Sequence, residues 1–90
     1  MSIEVRIPTI LRTYTANEKV VEAAGSTIAE VVADLEANYP GIGDRLTDDK
    51  GLRRFVNVYL NDEDVRFLDG LDTAVADGDS VTILPAVAGG

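Results

Sequence analysis

The side chains that carry most protein chemistry are missing from this sequence. It has no Cys and no His, which excludes disulfides, thiolate nucleophiles, the usual zinc sites and imidazole acid–base catalysis. Sulfur occurs only in Met1. The remaining candidates fail on spacing. Asn61-Asp62-Glu63-Asp64 could open a calcium loop. Counted from Asp62, however, the fifth position is Arg66 and the twelfth is Thr73, where such a loop needs an acceptor and a bidentate Glu. Gly41-Ile42-Gly43 lacks the third glycine and the strand-to-helix setting of a dinucleotide site, and no phosphate-binding loop precedes Lys50. No carboxylates stand out as an acid–base pair. What remains is the terminal carboxylate of Gly90, on a chain that ends Val87-Ala88-Gly89-Gly90. Two terminal glycines arise by chance in roughly one chain in 200, so this ending gains weight only from what precedes it.

What precedes it is a turn and a strand. In Asp77-Gly78-Asp79 the glycine can take positive φ without a Cβ clash, which is hairpin-turn chemistry. Ser80 to Leu84 then alternates, Val81 and Ile83 to one face, Thr82 and Leu84 to the other. Pro85 lacks an N–H and is expected to end ladder pairing and begin a flexible tail over residues 85–90.

The rest of the chain must hold that strand. Ile3-Glu4-Val5-Arg6-Ile7 alternates apolar and charged residues and predicts a half-buried strand that Pro8 ends. A polar connection through Thr13 to Asn17 leads to a weaker strand, Lys19 to Ala23, paired antiparallel with the first. Thr27 and Glu30 have the spacing of a capping box. Ile28, Val31, Val32 and Leu35 then form one apolar stripe, which predicts a helix from Ile28 to Asn38 with Glu30, Asp34 and Glu36 in water. Tyr39-Pro40-Gly41 stops it. Gly41 to Arg54 reads as an irregular polar connection with a short turn around Asp44-Arg45-Leu46 and an exposed tip at Asp48-Asp49-Lys50-Gly51. Phe55 to Leu60 is a strand with Val56, Val58 and Leu60 on one face and Phe55, Asn57 and Tyr59 on the other. Val65-Arg66-Phe67 is expected to begin a return strand, with Leu71 and Val75 as apolar anchors further on.

One amphipathic helix can cover one face of one sheet. A last strand parallel to the first, reached by a right-handed crossover, completes an α+β fold of the β-grasp, ubiquitin-like type: a mixed sheet crossed by one main helix. Ninety residues suit one domain, 1–90, with a modest core. With 46% apolar and 27% charged residues the composition is that of a folded protein. No apolar run reaches the length of a membrane span and no signal-peptide pattern opens the chain, so a cytoplasmic location away from membranes is expected. Sixteen acidic against 8 basic residues give a net charge of −8, which argues against nucleic acid as a partner and is compatible with a basic protein.

The ending Val81-Thr82-Ile83-Leu84-Pro85-Ala86-Val87-Ala88-Gly89-Gly90 after Asp77-Gly78-Asp79, with Phe55-Val56-Asn57-Val58-Tyr59-Leu60-Asn61-Asp62-Glu63-Asp64 upstream, resembles the ThiS/MoaD group of ubiquitin-like sulfur carriers. The resemblance spans the whole chain and is strongest to the branch serving cysteine biosynthesis. Ile7-Pro8-Thr9-Ile10-Leu11-Arg12, Asp34-Leu35-Glu36-Ala37-Asn38-Tyr39 and Val65-Arg66-Phe67 also carry it. Ala86 stands where many members have the second residue of a Pro-Pro pair, which weakens the link to the molybdopterin branch.

The resemblance implies a carrier and not an enzyme. A ThiF/MoeB-like adenylyltransferase and sulfurtransferase would spend ATP to adenylate Gly90, and sulfur would then displace AMP to leave a thiocarboxylate. Gly89, Ala88 and Val87 would be the tail that partners recognise. No cofactor would be bound by the chain itself. In the cysteine branch the further partners would be a pyridoxal-phosphate (PLP)-dependent cysteine synthase and a metallopeptidase. The alternatives within the resemblance are a molybdopterin synthase small subunit, a thiamin-pathway sulfur carrier and a protein modifier joined to lysines through Gly90. From the residues themselves, Phe55, Tyr59 and Leu84 form the expected docking patch on the sheet face away from the helix.

Overall fold

The computed structural model describes residues 2–54 and 56–85. The strands are β1 (Ile3–Arg6), β2 (Val20–Ala23), β3 (Thr47–Asp48), β4 (Gly51–Leu52), β5 (Val56–Leu60), β6 (Glu63–Asp64) and β7 (Ser80–Pro85). The helices are α1 (Ile28–Asn38) and α2 (Ile42–Leu46), with 3-10 turns at Thr9–Thr15, Val65–Phe67 and Gly70–Asp72. Five strands form one sheet in the order β2-β1-β7-β5-β6, and β3 and β4 form a separate hairpin. β7 lies parallel to β1 and antiparallel to β5, so the last strand is the centre of the sheet. This is the β-grasp arrangement.

The alternation read in the sequence is the alternation of burial. Ile3 and Val5 of β1, Val56 and Val58 of β5, and Val81 and Ile83 of β7 all point into the core. Against them α1 lays Ile28, Val31 and Leu35, each 1% exposed. Val32, on the edge of the same stripe, is only partly buried. The Thr27 hydroxyl oxygen accepts from the Glu30 N–H at 3.2 Å. The Glu30 carboxylate reaches back one residue further than the usual box, to the Ser26 N–H at 2.9 Å.

Several expectations need correction. The stretch from Gly41 to Arg54 is not irregular. It contains α2 and the β3–β4 hairpin, and Ile42 and Leu46 of α2 are fully buried. A second helix therefore helps α1 cover the sheet. Glu36 does not simply face water: its carboxylate accepts from the Gly43 N–H at 2.7 Å and from the Gly41 N–H at 3.0 Å. Asp34 likewise accepts from the Ala24 N–H at 3.0 Å. The polar connection after Pro8 is a 3-10 segment that buries Leu11 and Thr15. The return strand lies at Glu63–Asp64, paired with Leu60 and Tyr59, while Val65–Phe67 is a 3-10 turn. Asp64 causes that break, because its carboxylate caps the Arg66 N–H at 2.9 Å. Pro85 belongs to β7, in register with Val56, and not to the tail.

Candidate functional site

The site is the end of β7 and the surfaces beside it. The strand is fixed at its foot. Ser2 donates its N–H to Asp77 Oδ1 at 2.6 Å and accepts from the Gly78 N–H at 3.1 Å. Gly78 has φ +90°, the conformation the turn requires. The turn links back to β1, where the Glu4 N–H donates to the Asp79 carbonyl at 3.1 Å, and so is not the bend of a simple hairpin. Asp79 accepts from the Ala76 N–H at 2.8 Å and from Asn61 Nδ2 at 3.0 Å. These bonds favour the charged form, first the backbone bond and then Asn61, and hold the Asp79 carboxyl below its ordinary range. Asn61 completes the clamp by accepting the Ser80 N–H at 2.9 Å.

From that foot β7 runs between β1 and β5 to Pro85. Its outward side chains, Thr82 and Leu84, stand opposite Tyr59 and Asn57 of β5. Antiparallel partners directly opposite share a sheet face, so Tyr59, Thr82 and Leu84 lie together, and with Asp62 they line a shallow concavity. Leu84 is 44% exposed. The structure thus brings two of the three expected docking residues, Tyr59 and Leu84, onto one face. Phe55 lies outside the described residues, as do Val87, Ala88, Gly89 and Gly90.

A groove on the other side of the strand end was not foreseen. Pro8, Ile10, Tyr14, Arg45, Leu84 and Pro85 line it. Ile10 is 66% exposed. Tyr14 is packed partly into the core and its ring lies over Gly41, where a Cβ would come within 2.9 Å of the ring. Gly41 has φ +101°, so glycine is needed there twice over. Arg45 Nε donates to the Tyr14 hydroxyl at 2.8 Å. That bond raises the Arg45 pKa above its ordinary value, and the guanidinium stays charged. The sequence signal for this groove existed: Ile10, Leu11 and Tyr14 have helical spacing within a stretch read as polar connection.

Arg66 braces the start of β5. It donates to Asn57 Oδ1 at 2.7 Å, to the Val56 carbonyl at 2.6 Å and to the Arg53 carbonyl. Val56 is the partner of Pro85, so this brace supports the last described residue of β7.

Among the described residues no group of His, Cys, Asp and Glu is placed to hold a metal ion. No helix among them is long and apolar enough to cross a membrane. Two partly apolar concavities thus flank the end of β7 and share Leu84.

Comparison with known proteins agrees with this geometry. The ThiS family model matches residues 5–90. The sulfur carrier protein CysO of Mycobacterium tuberculosis is 62% identical over 93 aligned positions covering 100% of both chains. Small archaeal modifier protein 3 of Haloferax volcanii is 45% identical over 65 positions, 72% of this chain and 71% of that one. A chain in the crystal structure of the Amycolatopsis orientalis BexX/CysO complex superposes with a TM-score of 0.93 at 58% identity, covering 98% of this chain and 99% of that one. The chain belongs to the ThiS family and is a sulfur carrier with a β-grasp fold.

Proposed function

We propose that this carrier holds sulfur as a thiocarboxylate on Gly90 and delivers it for cysteine biosynthesis. The observation that supports this most directly is the position of β7. It is the central strand, clamped at its foot by Asn61 and Asp79, and the chain's last five residues follow directly from its far end. Residues 86–90 follow Pro85 and include both terminal glycines. Five extended residues span about 17 Å, enough to reach an active site inside another protein.

The chemistry lies in that end. A carboxylate is a poor electrophile. Attack of the Gly90 carboxylate oxygen on the α-phosphate of ATP forms the acyl-adenylate and releases pyrophosphate. Sulfide then attacks the acyl carbon, AMP leaves with the bonding pair, and the thiocarboxylate remains. A persulfide donor would instead form an acyl disulfide, and a thiol of the partner would cleave its S–S bond to release the thiocarboxylate and leave a disulfide on the partner. The partner for these steps is a ThiF/MoeB-like adenylyltransferase. The acceptor would be an activated serine on a PLP-dependent cysteine synthase, and a metallopeptidase would release the cysteine. Gly89 and Gly90 lack Cβ atoms and can enter a narrow channel with any φ it requires. With no cysteine in the chain, no internal thiol competes for the acyl group.

A second reading is favoured by the 45% identity to a small archaeal modifier protein. In that case Gly90 would be joined to lysines of other proteins. Intact mass spectrometry of protein purified from its native cell separates the two. The carrier reading expects a fraction with one oxygen replaced by sulfur at the C-terminus. Isopeptide conjugates alone, with no sulfur-substituted chain, would select the modifier.

A further inference from the structure

The net charge of −8 hides a segregation of charge along the sheet. β1 and β7 run parallel, and β2 and β5 run against them, so one end of the sheet holds Arg6, Val20, Val56 and Pro85 together. Six of the eight basic residues lie toward that end, and Lys50 and Arg54 line a separate surface with Asp48 and Asp49. Arg6, Arg12 and Lys19 line one surface beside Leu84. Arg45 lines the groove that Leu84 and Pro85 close. Arg66 and Arg53 lie at the start of β5, joined to each other and to Val56. Acidic side chains are interspersed there: Glu4 pairs with Arg6 at 3.3 Å, Asp64 accepts from the Arg66 N–H, Glu36 accepts from the N–H of Gly41 beneath Tyr14, and Glu18 and Asp44 are next in sequence to Lys19 and Arg45. The opposite end carries Glu63, Asp77 and Asp79, while Asp62 shares a concavity with Thr82 and Leu84.

We propose that this basic collar docks on a carboxylate-lined rim at the mouth of the channel that takes in the chain end. The inference rests on the reading of Gly90 as the activated residue. A partner that receives the segment after Pro85 approaches this end of the sheet, where Arg6, Lys19 and Arg45 are exposed. A basic rim would be attracted to the molecule as a whole but repelled at the end that matters. An acidic rim is attracted only there. The separated charges also give the carrier a dipole that turns the tail end toward such a rim during encounter. Net charge alone is compatible with a basic partner, and the arrangement of the charges favours an acidic one for the tail-binding surface. All three of Arg6, Lys19 and Arg45 are exposed, and Arg45 is held by its bond to the Tyr14 hydroxyl.

The test uses the full chain and its adenylating enzyme, with two readouts. One is the Kd of the carrier–enzyme complex. The other is the KM for carrier in ATP-dependent pyrophosphate release, at about 20 mM and about 500 mM salt, which span strong and weak screening. For the unmutated chain both constants should rise with salt. The double variant Arg6→Glu with Lys19→Glu should raise both at low salt, on the order of tenfold, flatten the salt dependence and leave kcat unchanged. Glu63→Lys at the far end should leave KM near the unmutated value. Salt-insensitive constants for the unmutated chain overturn the collar, and this arm needs no variant to fold. Normal activation of the double variant overturns it as well. Salt-dependent binding without any pyrophosphate release would sustain the collar and sink the reading of Gly90.

Discussion

Asn61 and Asp79 meet side chain to side chain at 3.0 Å across eighteen residues of sequence, at the foot of the strand that leads to the chain end. Asn61 has φ +49°, so the residue that makes the clamp also turns the chain out of β5. Asn61→Gly keeps that turn and removes the side-chain bonds. Loss of the bond to the Ser80 N–H should lower stability by about 0.5–1.5 kcal/mol, read as a lower urea midpoint with unchanged slope. An unchanged midpoint would mean the clamp does not hold the strand.

The same clamp makes stability depend on pH in a definite direction. The folded pKa of Asp79 lies below its ordinary value of 3.8. Its contribution is therefore fully present above that value and is lost as the pH falls through the lower folded pKa. Asp79→Asn should flatten the acid limb of a stability–pH curve below about pH 4 relative to the unmutated chain. Parallel acid limbs for the two proteins would contradict the assignment.

Glu36 ties α1 to α2 through the N–H groups of Gly41 and Gly43. Glu36→Ala should cost about 1.5–3 kcal/mol, because it removes charge-assisted bonds from partly buried donors. Gly43→Ala should also destabilise, since the added Cβ would sit 2.7 Å from Glu36 Oε1. Thermal melts of the two single variants check this, and a Glu36→Ala melting point equal to the unmutated one would contradict it.

This link also shows where the sequence stopped being legible. The strands and α1 follow from local alternation and capping, and Ile3, Leu35 and Ile83 lie where that pattern puts them. Leu35→Ala should cost about 2–5 kcal/mol in a denaturation experiment. An unshifted midpoint would contradict its burial. α2 is only five residues long and is held by a carboxylate from another helix, so no local period announces it. Val65 is fully buried in a 3-10 turn, where the Asp64 cap outweighs the strand preference of Val65-Arg66-Phe67. In the site, Tyr59 and Leu84 were legible because strand alternation puts them on one face. Tyr14 and Arg45 were not, because a contact across thirty-one residues brings them together.

Tyr59 and Leu84 share the sheet face away from α1. If an activating enzyme grips that face, Tyr59→Ala should weaken binding by about 2 kcal/mol and raise the KM for carrier, with kcat little changed. Steady-state kinetics at sub-saturating carrier provide the check. A folded Tyr59→Ala variant activated at the unmutated efficiency would place the grip elsewhere.

The central claim is that the carboxyl of Gly90 is the only acyl group that carries sulfur. Every residue of the described core lies between Ile3 and Ile83, so removal of Gly90 should leave the fold and melting temperature nearly unchanged. The decisive measurement is intact mass spectrometry of the full chain and of the Gly90-deleted chain after incubation with the adenylating enzyme, ATP and a sulfide source. The full chain should exchange one oxygen for sulfur, and the deleted chain should not. A Gly90-deleted chain that still acquires sulfur would contradict the account.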